Sequence, residues 1–304
     1  MLLRREDGRL NHFENSGYAS AHGLDHAGPI LDRMALALED QDVSVRAVLK
    51  EAGRSQYEFA TDHGQALEAA NHFCIVRETI GAIAASEGLV GTCLPLVFER
   101  EAGNGWHMHF SLLRDGVNLT GRGDRLGSEA EAFVAGIFDH LPALLSLTAA
   151  SPNSFRRIRP GAWCGAFRAW GYDHKEAPLR VPTERRGAPT NVEFKSCDAT
   201  LNPYLALAGV IAAGLDGIDR ALVLPEPIDR DPALLSEAER QARGIDRLPT
   251  NLGEAIDLLR ADSALEAMLE VPLVRSYAAV KRGEIDALEG VSFEEEVDRL
   301  IEVY

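Results

Sequence analysis

The spacing of apolar positions along the chain changes period several times, and each change marks an element. Residues 64–87, and roughly 28–41, carry apolar side chains at helical intervals. The apolar run from Phe133 to Leu147 follows Ser128 and Glu131, a pair spaced as a capping box, so a helix is predicted to open at Ser128. Asn202-Pro203 supplies an N-cap and a first-turn proline ahead of an Ala/Leu-rich stretch that runs to Gly214. Asn251 with Glu254, and Ser292 with Glu295, repeat the capping signal further along.

Three segments alternate with period two instead. Trp106, Met108, Phe110 and Leu112 alternate with His107, His109 and Ser111. Val192 and Phe194 alternate with Asn191, Glu193 and Lys195, and Tyr57 and Phe59 with Gln56 and Glu58. In a strand such alternation sends each polar set to one face. Joined in one antiparallel sheet, the three would give an apolar back and a face of His, Glu and Lys, a rigid floor for an open metal site. A merely solvated face would alternate in the same way, and an isolated H-x-H is commonly satisfied by ordinary hydrogen bonds. What sets these strands apart is that all three polar faces carry groups able to hold a metal or a phosphate.

Composition narrows the classes. At 304 residues the length alone would suggest two domains of about 150 residues each, but no linker or low-complexity stretch divides the chain. One large domain, 1–304, is the expectation. Hydrophobic residues at 46% and charged residues at 26% suit a protein with a substantial core. A net charge of -16 argues against nucleic-acid binding, which relies on basic patches. No apolar run approaches the ~20 residues that span a bilayer, and the basic pair Arg4-Arg5 is not followed by a signal-peptide core. No membrane partner is expected. Cys74, Cys93, Cys164 and Cys197 are scattered without C-x-x-C spacing, which favours reduced thiols used for packing in a cytoplasmic protein.

Several ordered motifs then carry a family resemblance. Gly103-Asn104-Gly105-Trp106-His107-Met108-His109-Phe110-Ser111-Leu112 resembles the G-N-G-M-H-x-H-x-S-L signature of glutamine synthetases. Asn153-Ser154-Phe155-Arg156-Arg157 is similar to that family's N-S-Y-K-R segment, and Pro160-Gly161 continues it. Val192-Glu193-Phe194, Asp198 and Asn202-Pro203-Tyr204-Leu205-Ala206-Leu207 resemble its V-E-x-R…D…A-N-P-Y-L-A-L block. Upstream, Glu51 to Glu58, through Gly53 and Gln56-Tyr57, resembles E-x-x-P-G-Q-Y-E. The matches run along essentially the whole chain.

The resemblance implies an α+β catalytic domain, a curved and mostly antiparallel sheet backed by helices. It implies an ATP-dependent ligase that phosphorylates the side-chain carboxylate of glutamate and lets ammonia or an amine attack the acyl phosphate. It places Glu51 and Glu58 on one divalent ion and His107 and Glu193 on another, the donors that Mg²⁺ or Mn²⁺ accept. Arg157 and Lys195 would hold the substrate's carboxylate beside Gly105, and Arg180 would neutralise phosphate charge. His109, Ser111 and Lys175 would lie toward ATP. Such proteins assemble as homo-oligomeric rings, commonly dodecamers.

Three departures qualify this. Met1 to Arg9 resembles the family segment just after a strand bearing Glu-x-Glu. That strand and the small N-terminal β-grasp domain are therefore expected to be missing, with weak or no activity and weakened ring contacts as consequences. Trp163 stands where ammonia-using members carry the Glu of P-G-Y-E. Gly161 to Arg168 is closer to the nodulin-like and fungal developmental glutamine-synthetase-like proteins. Lys195 and Lys175 replace arginines, giving point charges in place of a bidentate fork. The amine thus stays open between ammonia and an organic amine, with a non-catalytic scaffold as the third reading. Residues 205–276 contain no Tyr, so an adenylylation switch of the family's kind is not expected.

Overall fold

The computed structural model describes residues 1–183 and 189–304. The chain falls into two units, residues 1–104 with 292–304, and residues 105–291.

In the first unit β1 (Leu2–Glu6) runs antiparallel between β2 (Arg9–His12) and β5 (Val90–Gly91). Helices α1 (Ala21–Glu39) and α2 (Ala66–Ser86) cover an apolar core that includes Ile30, Leu31, Met34 and Ala84. The first helix starts earlier than its apolar spacing indicates. Ser20 caps it by accepting from the Gly23 amide, and buried Gly23, Ala27 and Ile30 carry the packing through Pro29. Among the described residues, strands β3 (Val45–Lys50) and β4 (Tyr57–Thr61) pair only with each other. The segment with Gln56 and Glu58 therefore does not join the histidine-bearing strand in one sheet. Alternation shows which face a residue takes; it carries no information on which strand is its neighbour. The last helix, Phe293–Leu300, also belongs to this unit and is capped by Ser292, as its spacing predicts.

The second unit holds the sheet expected to form the floor. Strand β6 (Met108–Phe110) is followed by two small hairpins, β7 (Leu113–Arg114) with β8 (Val117–Asn118) and β9 (Gly121–Arg122) with β10 (Arg125–Leu126). After α3 (Ser128–Thr148) and α4 (Pro152–Arg157) come β11 (Trp170–Tyr172), β12 (Leu179–Val181) and β13 (Val192–Phe194). The sheet order is β11-β12-β13-β6, parallel at the first pair and antiparallel at the other two. Its back is apolar: Leu179, Val181, Val192 and Phe194 are fully buried, and Phe110 packs its ring 5.8 Å from that of Phe133 on α3. Helices α5 (Pro203–Asp219), α6 (Glu237–Ala242), α7 (Leu252–Ala261), α8 (Ser263–Leu269) and α9 (Val271–Ala287) complete the unit.

Asn202 caps α5 and Asn251 caps α7 as their spacing predicts. Ser128 does not cap α3: Gly127 occupies the cap position and Ser128 is already helical. A side chain at 127 would meet the Leu119 carbonyl 2.5 Å away, so the close approach of the link between the two hairpins favours glycine at this boundary. By length and composition α3 is apolar enough to cross a membrane, but 78% of its most apolar window is buried inside the protein. Its apolarity is that of a core helix. Glycines let α3 and α5 approach closely, since a Cβ at Gly136 would lie 2.0 Å from the Ala213 carbonyl and one at Gly217 2.2 Å from that of Ala132.

Candidate active site

Strand register brings the polar side chains of the second unit into rows. Arg180 pairs with Glu193 across β12 and β13, and Glu193 with His109 across β13 and β6. Lys195 and His107 follow two residues further along, on the same face by the period of two. Glu193 sits at the centre. Its Oε1 is 3.0 Å from His107 Nδ1, 3.4 Å from Lys195 Nζ and 3.8 Å from His109 Nε2, and its Oε2 is 2.6 Å from Arg180 Nε. His109 Nδ1 in turn lies 2.9 Å from Asn191 Oδ1. Ser111 lies beyond β6, half-buried, where the hairpins begin.

These contacts set the charge states. Burial works against ionisation of Glu193, but the His107 hydrogen bond and the charges of Lys195 and Arg180 overcome it and bring its pKa to about 2. His107 moves the other way. Although its side chain is one-third exposed, dense surroundings desolvate the ring; with Lys195 and Arg157 they outweigh the Glu193 hydrogen bond and lower its pKa to about 4. At neutral pH the pair is therefore a carboxylate and a neutral imidazole. Burial likewise lowers the Lys195 pKa, against the pull of Glu193.

Arg157, at the end of α4, reaches the same cluster. Ser151 caps α4 in a box with Ser154, so six residues suffice to aim the side chain. The guanidinium is buried and donates to the carbonyls of Cys197 and Lys195, each at 3.2 Å, and to His107 Nε2 at 3.2 Å. Gly105 is the close neighbour: a Cβ there would lie 2.5 Å from Arg157 Nη2 and 2.7 Å from His107 Nε2.

Trp163 sits on the turn after α4, and that turn is held by the segments that follow β11 and β13. Its amide donates to Glu176 Oε1 at 2.9 Å. Ser196, next to Lys195, donates to the carbonyls of Cys164 (2.8 Å) and Gly165 (3.2 Å). Lys175 lies over the Trp163 ring, with Nζ 4.2 Å from the centroid.

Glu51 and Glu58 belong to the first unit, His107 and Glu193 to the second. Glu51 opens the turn between β3 and β4, and Glu58 lies on β4 opposite Leu49. A buried scaffold shapes that turn. Lys50 Nζ donates to the carbonyls of Glu51 (3.0 Å) and Gly53 (2.6 Å) and pairs with Glu14 at 3.7 Å. Gln56 accepts from the Gly53 amide and donates to Gly103 O and Asn104 Oδ1.

A sheet face of this make-up agrees with a family model: the glutamine synthetase catalytic domain matches residues 4–300. The chain belongs to the glutamine synthetase family.

Among glutamine synthetase relatives, it is 42% identical over 280 residues to the gamma-glutamylpolyamine synthetase GlnA3 of Streptomyces coelicolor, covering 90% of this chain and 60% of that protein. It is 35% identical over 277 residues to the glutamine synthetase of Methanocaldococcus jannaschii, covering 90% and 61%. The chain thus spans about 60% of the length of these curated relatives. A crystal structure of a glutamine synthase homolog superposes with a TM-score of 0.83 at 33% identity, covering all of this chain and 68% of the other. A GmaS–ADP complex superposes at 0.86 with 24% identity, covering 99% and 70%, a likeness of fold. The α+β architecture expected from the sequence is that of these catalytic domains.

Glutamine synthetases imply ATP and a divalent metal, and the donors of this sheet face fit such an ion. Glu193 Oε2 is buried and has no hydrogen-bond partner, since Arg180 Nε, though 2.6 Å away, meets it outside hydrogen-bond geometry. An ionised oxygen left in that state is a metal donor, and the neutral imidazole becomes one when its Nε2 gives up the hydrogen bond from Arg157. Among the described residues no three His, Cys, Asp or Glu side chains converge as a metal-binding group. Two protein donors, with water and phosphate oxygens as the rest, is a common arrangement for Mg²⁺.

Sequence reasoning left Cys164, Cys197 and Glu176 outside the site. Cys164 Sγ donates to the Arg157 carbonyl at 3.2 Å, and Cys197 offers its own carbonyl to the guanidinium. Glu176 was detectable only as the acid beside Lys175, because its role depends on the fold of the Trp163 turn.

Proposed function

We propose that the chain is the catalytic part of an ATP-dependent ligase that joins the side-chain carboxylate of glutamate to ammonia or an amine through a γ-glutamyl phosphate. The observation that carries this is the Glu193 cluster: one ionised carboxylate and a neutral imidazole among Arg157, Lys195 and Arg180. An excess of cations suits an acidic amino acid and a transferring phosphoryl group. Arg157 and Lys195 bind and orient the carboxylate of glutamate, with Gly105 leaving the space beside them. Arg180 neutralises charge on the phosphoryl oxygens, and His109, Ser111 and Lys175 face ATP. Glu193 and His107 would hold one Mg²⁺ or Mn²⁺, and Glu51 and Glu58 another. A divalent ion there supplies Lewis-acid stabilisation to phosphoryl oxygens.

The amine is best read as organic. Trp163 offers an aromatic face but no carboxylate, and the 42% identity to a gamma-glutamylpolyamine synthetase supports the same direction. The reading also takes the protein to be one cytoplasmic domain over 1–304, a homo-oligomer, with no nucleic-acid or membrane partner.

The test is ADP release with ATP, glutamate and Mg²⁺ or Mn²⁺, using ammonia or a panel of amines. Turnover with an organic amine well above that with ammonia supports the reading. Turnover with ammonia alone replaces it by an ordinary glutamine synthetase. Silence with every amine, while ATP and glutamate bind, rejects the ligase.

A further inference from the structure

Lys50 ends β3 with its ammonium sealed inside the first unit, only 2% exposed, where a cation is costly unless its neighbours use it. Its neighbours belong to the turn that follows. Nζ donates to the carbonyls of Glu51 and Gly53 and faces Glu14 Oε1 at 3.7 Å. Glu14, itself buried, is joined to the far side of the same turn. Its Oε1 accepts the Ser55 amide at 2.9 Å. Ser55 Oγ donates to the Glu14 carbonyl at 2.7 Å and accepts from the Glu14 amide at 2.8 Å. One buried ion pair thus grips the turn at residues 51, 53 and 55.

The turn needs that grip. Ser55 holds φ at 53°, in the left-handed region that glycine takes freely and serine takes only under constraint. It stands at the glycine position of the E-x-x-P-G-Q-Y-E motif that this segment resembles. The same backbone sets the carboxylate of Glu51, whose Oε2 accepts the Ala52 amide at 3.0 Å. Glu58 lies on β4, across residues 51–56 from Lys50, so the shape of the turn fixes where the two carboxylates stand. We infer that Lys50, acting with Glu14 through the 51–56 turn, is a positioning residue for the divalent ion proposed for Glu51 and Glu58. The inference deepens the ligase reading and rests on it for the identity of those two ligands. Residues that orient metal ligands in this way are typically worth about 10–100-fold in metal affinity.

Calorimetric titration of the full chain with Mn²⁺ tests this, with Glu51→Gln and Glu193→Gln marking which binding event belongs to which ion. Lys50→Met removes the donors and keeps the stem. Lys50→Met/Glu14→Gln also removes the carboxylate that would be left unpaired, so a folded protein stays available for measurement. Thermal melts establish that the variants are folded. Both are expected to weaken the Glu51-dependent event at least about tenfold and to leave the Glu193-dependent event unchanged. Adding Ser55→Gly to the double variant should return part of the loss, because glycine needs no clamp at this φ. A merely structural role would produce neither result. An unchanged Glu51-dependent event, an equal weakening of both events, or no return with Ser55→Gly overturns the positioning role. Mn²⁺ binding that Glu51→Gln leaves unaltered removes the metal assignment and the positioning role with it. ADP release by a double variant of parental Mn²⁺ affinity sinks the positioning role but keeps the ligase. Mn²⁺ binding that depends on Lys50, without ADP release from any amine, does the reverse.

Discussion

Arg157 Nη2 and His107 Nε2 lie 3.2 Å apart, and this contact fixes the tautomer of the imidazole. A guanidinium only donates, so Nε2 accepts and the proton sits on Nδ1, facing Glu193 Oε1 at 3.0 Å. One chain of donors thus runs from the residue expected to hold substrate to the carboxylate expected to hold metal.

Gly105 leaves room for that contact, with Arg157 Nη2 2.5 Å from where its Cβ would be. Gly105→Ala is therefore expected to push the guanidinium off His107. Because Gly105 is exposed, the melting temperature should stay nearly constant. Turnover should fall on the order of 100-fold, as misplacement by about 1 Å can do. ADP-release kinetics beside a thermal melt check this. A variant of parental activity would remove Gly105 and the Arg157–His107 contact from the mechanism.

Among the described residues the carboxylate facing Arg180 and Lys195 is that of Glu193, and Glu193→Gln removes its charge. Cations left uncompensated in a buried site are costly, and a destabilisation of about 3 kcal/mol is expected. Mn²⁺ affinity, read by calorimetry on the folded variant at low temperature, should drop at least about tenfold, since a neutral amide is a poorer ligand than a carboxylate. Unchanged Mn²⁺ affinity would show that Glu193 is a structural counter-ion and no metal ligand.

How much of this was legible in the sequence depends on the range of each signal. The alternation of His107 to Leu112 and Asn191 to Lys195 identified two facing strands and their polar side correctly, because period-two exposure is local. The same alternation at Gln56 to Phe59 led to a strand paired elsewhere, because partner choice depends on contacts far along the chain. Asn202 and Asn251 cap their helices through neighbours two or three residues away, whereas Gly127 displaces Ser128 because of the distant Leu119 carbonyl. The Lys50–Glu14 pair under the Glu51 turn had no sequence signal, since a lysine on a strand normally reads as exposed.

The α3–α5 contact makes a prediction outside the site. A Cβ at Gly217 would lie 2.2 Å from the Ala132 carbonyl and 2.6 Å from Gly136 Cα, and both neighbours are helix backbone that cannot yield alone. Gly217→Ala gains helix propensity of about 1 kcal/mol but must separate two packed helices. Overpacking is expected to win, with a net loss of about 2 kcal/mol or more in denaturant unfolding. A neutral or stabilising result would mean that the helices slide apart at little cost.

Stability should also depend on pH through His140. Its Nδ1 is 2.5 Å from Asp262 Oδ2 and its Nε2 2.9 Å from Asp216 Oδ2, joining α3, α5 and the α7–α8 junction. Burial alone would lower its pKa, but the hydrogen bonds it donates to Asp262 and Asp216 prevail and raise it. The same contacts lower both aspartates against their own burial. A raised histidine contributes stability that is complete below its unfolded value of 6.5 and is lost as pH rises through the folded value. The depressed aspartates contribute above their unfolded value of 3.8, a contribution lost as pH falls through their folded values. Both contributions are present together between those limits, so the melting temperature of the parent should peak in mildly acidic buffer and decline toward alkaline pH. His140→Gln keeps a donor but cannot titrate, so it should be less stable than the parent near pH 6 and should lose the part of the alkaline decline that His140 causes. Melting curves collected across the pH range for both proteins decide it: parallel profiles would show that His140 is neutral in the folded protein and that its two aspartates are balanced by Arg220 and backbone donors instead.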